Sequence, residues 1–179
     1  MMNLEIIEKK AIEVLENFDG KKAPINVEKI ARMMGLEVIE DDLGENVSGV
    51  LFIRDGKGII GYNPEENINA TRKRFTIAHE LGHYVMHRLE NDVFVDNKQF
   101  RVEFNRDKRS STGEVKHERE ANAFAAALLM PKHLLQKEIE KMSFDLINEI
   151  EEDIIEALAN KFKVSKQAMT YRMLNLRLY

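Results

Sequence analysis

No cysteine occurs among the 179 residues. That absence removes disulfide frameworks, thiolate zinc sites and cysteine nucleophiles together, so any metal must be held by His, Asp or Glu. It is also compatible with a reducing cytoplasm, the expected compartment. Long apolar runs are missing too, and no stretch approaches the roughly 20 residues that span a membrane. The opening MMNLEIIEKKAIEVLENF spaces its apolar residues for one helix face with charges between them, unlike the unbroken apolar core of a signal peptide. Positive charge is outnumbered: 27 Lys and Arg against 31 Asp and Glu leave a net charge of -4. Phosphate neutralisation needs a cationic face, so this balance argues against the whole molecule acting as a nucleic-acid binder. No internal repeat or low-complexity linker divides the chain.

What is present is enough for one domain with a genuine core, since 44% of the residues are apolar and 32% charged. Residues 4–18 read as an amphipathic helix stopped by DGKKAP, and NVEKIARMMG as a second helix ended by Gly35. VSGVLFIRDGKGIIGYN carries two β-branched apolar runs around Asp55-Gly56, which predicts a hairpin turning at that pair. Asn69 is placed to cap a helix running to about Arg88. Beyond Glu90 come strand-like pieces, DVFVD and FRVEF, then the polar NRDKRSSTGE. Helical spacing returns in HEREANAFAAALLM, in KHLLQKEIEKM after Pro131, and over about Phe144 to Phe162. Ser165 then caps a last helix.

Three of the five histidines fall in RFTIAHELGHYVMHR. His79 and His83 are four residues apart, which puts both imidazoles on one helix face roughly 6 Å from each other, able to converge on one ion. Glu80 is turned about 100° from His79, within reach of water at such an ion without entering its coordination shell. His87 lies about 12 Å along the axis from His79, too far to share a metal with it, and reads as a structural or supporting histidine. A chance HExxH is expected in about 0.01 to 0.02 chains of this composition. The plainer alternative is a core helix packing through Ile77, Leu81, Tyr84 and Val85 with its histidines exposed. Gly82 speaks against that, because it weakens a helix by roughly 1 kcal/mol relative to Ala and makes little sense unless something must approach closely there.

A catalytic zinc takes three protein ligands and keeps one position open. The candidates for the third are Glu114, His117, Glu118 and Glu120. In EREANAFAAALLMP the buried stripe runs through Ala121, Phe124, Ala125, Leu128 and Leu129, and Glu118 belongs to it while Glu120 is angled farther round. A carboxylate aimed into an apolar helix interface is costly unless a cation meets it. The alternative is a surface Glu118 paired with Arg119 or Lys116. Asn122, one turn after Glu118, is placed to hydrogen-bond the far side of a ligand.

HELGH paired with a downstream E-x-x-A-N-x-F-A-x-x-L-L-M-P, together with VEKIARMMGLEV and the closing ALANKFKVSKQAMTYRMLNL, resembles the ImmA/IrrE family of metallopeptidases over most of the chain. The resemblance implies an α+β, mainly helical zincin-like core with a small β-sheet or hairpin over residues 1–132, and a helix-turn-helix-like lobe over 133–179 packed on it. It implies one Zn2+ per chain held by His79, His83 and Glu118, with Glu80 as the catalytic carboxylate. It further implies a protein substrate, a helix-turn-helix repressor of the XRE, Cro or CI type from a phage or mobile element, cleaved to relieve repression. Tyr84, His87 and His117 are the candidates to steady the oxyanion, and a hairpin strand, 49–54 or 58–63, is the expected edge for an extended substrate.

Two other readings compete. The tail Ala157 to Tyr179 carries Lys161, Lys163, Lys166, Arg172 and Arg177 and no acid, and its spacing matches a helix-turn-helix with Lys166, Gln167 and Thr170 facing a groove. On that reading the chain is a DNA-binding regulator touching nucleic acid through Lys166 and Arg172. The other is a repressor-binding protein that keeps the metal and does not cut.

Overall fold

The computed structural model describes residues 3–18, 20–55, 57–89, 92–97, 113–145 and 151–178. Helices α1 (Leu4–Asn17) and α2 (Val27–Met33) precede three strands, β1 (Leu36–Glu40), β2 (Val47–Arg54) and β3 (Lys57–Tyr62). The long helix α3 (Ala70–His87) and strand β4 (Val93–Asn97) follow. The described chain closes on α4 (Gly113–Leu129), α5 (Lys132–Asp145), α6 (Glu151–Phe162) and α7 (Lys166–Leu176). The fold is α+β. No described helix is long and apolar enough to cross a membrane.

Local chemistry sets the element ends. Asn69 accepts from the Arg72 N–H at 2.8 Å and Ser165 from the Ala168 N–H at 3.1 Å, so both expected caps form, each worth about 1 kcal/mol. Gly35 ends α2 at φ 85°, the left-handed conformation a helix stop favours. The hairpin turns where expected, with Arg54 opposite Lys57. The expected strand FRVEF and most of NRDKRSSTGE lie outside the described residues, as does 146–150 within the expected helix from Phe144.

The sheet order is β1-β3-β2-β4, with β1 parallel to β3 and the other pairs antiparallel. This corrects one expectation: both hairpin strands are interior, so neither 49–54 nor 58–63 offers an edge. Strand β1 takes the far side of β3 and the short β4 takes the far side of β2. Among the described residues the edges are therefore β1 and β4.

Helix α3 is buried between the sheet and α4, and Leu51, Ile60, Ile77, Ala78, Leu81, Phe124 and Leu128 join one apolar cluster. The same cluster reaches α6 and α7 through Leu158, Phe162, Met169 and Met173. Two arginines tie these last helices down. The Arg74 guanidinium donates to the carbonyls of Lys163 at 3.2 Å and Phe162 at 3.4 Å, at the C-terminal end of α6. Arg172 donates through Nε to the Met130 carbonyl at 3.0 Å and grips the Glu8 carboxylate of α1 with both terminal nitrogens. Arg172 is 6% exposed, which corrects its placement on a DNA-facing surface: its charge is spent inside the protein. Lys166 remains exposed, 3.9 Å from Glu156, and the Thr170 hydroxyl is turned back onto the Lys166 carbonyl at 3.0 Å.

Candidate metal centre

The three expected donors converge. Nε2 of His79 and Nε2 of His83 are 3.0 Å apart, and the Glu118 oxygens lie 3.2 Å from the first and 3.0 Å from the second. Both histidines are buried, which removes the reading of α3 as a plain packing helix with exposed imidazoles. Their approach to Glu118 depends on Gly82. A Cβ there would stand 3.1 Å from Cα and O of Ala121 and 3.2 Å from the Phe124 ring, so the bare glycine lets the α4 backbone press onto α3. Ala121 is one turn beyond Glu118, and its close seat swings that carboxylate over the histidine pair.

Protonation shows what the cluster lacks. Asn122 Oδ1 accepts from His79 Nδ1 at 3.0 Å, the orientation in which Nε2 is the nitrogen presented to a metal. Burial, reinforced by the neighbouring His79 and opposed by the Glu118 hydrogen bond, pushes the His83 imidazole down to about 4, so it is neutral at pH 7. Burial works against ionisation of Glu118, yet hydrogen bonding with His79 and His83 holds its carboxyl well below the usual carboxylate range. Both imidazoles turn Nε2 toward that carboxylate at 3.0–3.2 Å, with the two Nε2 atoms 3.0 Å apart, and a cation among the three resolves the arrangement. Around a tetrahedral zinc with bonds near 2.0–2.1 Å, donor atoms sit about 3.3 Å apart. The observed separations match that edge closely, so the residues fit a divalent ion of this size. Among the described residues the buried Nδ1 of His83 has no hydrogen-bond partner; carrying the proton there frees Nε2 for a metal.

The other candidates are sorted by distance. Glu120 is engaged elsewhere, receiving His87 Nε2 at 3.0 Å with Lys116 at 3.7 Å. His117 stacks on the His87 ring at 4.2 Å; the Glu114 side chain lies outside the described set. His87 is therefore a buried supporting histidine, as its spacing implied. Tyr84 packs toward Gly58 on β3 and takes the Arg88 guanidinium on its ring face at 4.9 Å.

Strand β4 adds two residues that sequence reasoning missed. The Phe94 ring stacks on His83 at 4.6 Å, an apolar wall that keeps water from the imidazole. Asp96, 1% exposed, comes with Glu80 and His79 into a second group whose ligand atoms lie within 4.8 Å of one another. The one available signal was the i, i+2 spacing of Phe94 and Asp96 on a strand-like run, which puts both on one face.

A His-His-Glu cluster between two packed helices, with a glutamate beside the first histidine, is a group that could hold a metal ion in the manner of an HExxH centre. The chain belongs to the family of IrrE N-terminal-like domains, which matches residues 31–174. It is similar to Metallopeptidase ImmA of Bacillus subtilis (strain 168), 30% identical over 112 residues that make up 63% of this chain. The match spans 58% of that relative's length.

Proposed function

We propose that the chain is a metal-dependent endopeptidase in which His79, His83 and Glu118 hold one zinc ion and Glu80 carries the proton. The observation that supports it most directly is the 3.0–3.2 Å convergence of two imidazole nitrogens and a carboxylate, an arrangement that makes sense around a cation. Zinc in this donor set supplies Lewis acidity, acidifying water and polarising a peptide carbonyl. Glu80 accepts the proton of the attacking water and delivers it to the departing amine, the role for which its position next to His79 suits it. Asn122 orients His79 through Nδ1, and Phe94 shields His83.

An extended substrate segment adds to β4. Among the described residues this strand is paired on one side only, with β2, and its inward side chains touch the metal helix. Main-chain pairing at such an edge holds a peptide with little regard to sequence. The substrate we assign is a helix-turn-helix repressor whose cleavage relieves repression, resting on the family resemblance and on the relative's name as a metallopeptidase. The DNA-regulator reading is weakened by the burial of Arg172 against Glu8.

The test is direct. Purified protein is analysed for metal and incubated with helix-turn-helix repressors encoded beside it, alongside Glu80→Gln and a His79→Ala, His83→Ala variant. The expected result is one zinc per chain, lost in the double variant, and repressor fragments formed by the wild type alone. Repressor that binds and stays intact with the zinc-loaded wild type refutes cleavage and leaves a binding protein.

A further inference from the structure

Glu80 is held in a seat made by the sheet. It is fully buried, and its carboxylate rests on β2 at Gly49, where a Cβ would stand 2.8 Å from Glu80 Oε1 and 3.3 Å from its Cγ. The same Cβ would stand 2.5 Å from Cγ2 of Thr76, one turn earlier on α3. That methyl is not free to swing away. Thr76 Oγ1 donates to Asn67 Oδ1 at 2.7 Å, and the Asn67 amide donates to the Ser48 and Asn63 carbonyls at 2.7 Å each. Turning Thr76 would break into a buried, satisfied network.

Across the ladder Gly49 is in register with Asp96, beside an irregularity between Val47 and Gly49 in the β2–β4 pairing. Asp96 is itself buried, its carboxylate within 4.8 Å of those of Glu80 and of a His79 ring nitrogen. A glycine inside a strand weakens it. At Gly49 the space a side chain would take is occupied by the Thr76 methyl and the head of Glu80.

We propose that Gly49 and Asp96 are positioning residues for Glu80: Gly49 sets how far its carboxylate retracts toward the sheet, and Asp96 bounds it sideways. This rests on Glu80 being the proton carrier. A Cβ at position 49 displaces the Glu80 oxygen by about 0.5 Å or more to restore ordinary contact, and misplacements of that order cost about 10- to 100-fold in rate. No atom of His79, His83 or Glu118 is among the three nearest the new Cβ, so the metal stays.

Two measurements test the proposal. In metal-free protein, melting temperatures are compared for Gly49→Ala in the wild-type and Glu80→Ala backgrounds, and for Asp96→Asn in the wild-type and Glu80→Gln backgrounds. The expected result is non-additivity: Gly49→Ala lowers the melting temperature less once the Glu80 carboxylate is gone, and Asp96→Asn acts differently beside the uncharged amide of the Glu80→Gln background than beside the native carboxylate. Additive effects in both cycles overturn the proposal, whatever the substrate proves to be. With the repressor as substrate, Gly49→Ala and Asp96→Asn each lower kcat about 10- to 100-fold, leave KM within about threefold and retain one zinc. Wild-type kcat in both, with Glu80→Gln inactive, overturns the positioning roles and leaves the peptidase reading standing. Activity retained by Glu80→Gln overturns that reading instead.

Discussion

Replacing Gly82 tests the packing that brings the two helices of the centre together. A Cβ at this position would lie 3.1 Å from Cα and O of Ala121 and 3.2 Å from the Phe124 ring, where ordinary contact begins at 3.4 Å. Gly82→Ala therefore pushes the α4 backbone away by about 0.3 Å, while alanine's better helix propensity returns about 1 kcal/mol. The two effects oppose, and we expect stability to change by less than about 1 kcal/mol. The metal is less tolerant. Ligand distances must hold to about 0.2 Å, and Glu118 rides on the displaced helix one turn from Ala121, so zinc affinity falls about 10-fold. Gly82→Val adds methyls about 1.5 Å farther out, against backbone and an aromatic ring that cannot fold aside. Overpacking of this kind costs about 1–3 kcal/mol, and zinc affinity falls at least about 100-fold. Competition against a calibrated chelator measures the affinities, and urea unfolding of the metal-free proteins measures the stabilities. A Gly82→Val protein with wild-type zinc affinity and stability would refute the argument that close helix approach builds the site.

Three further outcomes follow from particular contacts. Asn122→Ala removes the acceptor of His79 Nδ1 and weakens zinc binding about 10- to 100-fold, read in the same chelator competition. In metal-free protein His83 has a folded value of about 4 against 6.5 unfolded, so between these pH values the unfolded chain binds the extra proton and acidification removes stability. The loss from His83 alone is roughly 3 kcal/mol from pH 7 to pH 4; Glu118, also depressed when folded, adds loss in the same direction below its ordinary 4.5, and urea unfolding at a series of pH values reads the sum. Arg172→Ala strands the Glu8 carboxylate and the Met130 carbonyl and lowers stability by about 2–4 kcal/mol in thermal or urea unfolding, with the larger share recovered in Arg172→Met, Glu8→Gln.

How much of this was legible follows from the range over which each contact is specified. His79 and His83 are four residues apart and Glu118 stands in an apolar stripe of period 3.6, so the helical part of the site is written in local spacing. Gly82 was legible as a helix-weakening residue that something must approach closely, and the α4 backbone, 3.1 Å from where its Cβ would stand, is what approaches. The strand side obeys no such local rule. In β4 the inward residues are Phe94 and Asp96, while Val93 and Val95 stay 47% and 45% exposed, so apolar character marks both faces and the acid points inward. Alternation read by itself would have turned Asp96 to solvent. Which side of β2 this strand joins, and in what register, is decided by pairing partners more than 40 residues away, beyond what spacing can encode. Gly49 carried the one faint sign, an isolated glycine within a strand, which marks a bulge or a close approach. The residues that break the strand's own preferences are those that meet Glu80. That coincidence is what a functional site leaves when local propensity gives way to the demands of its chemistry.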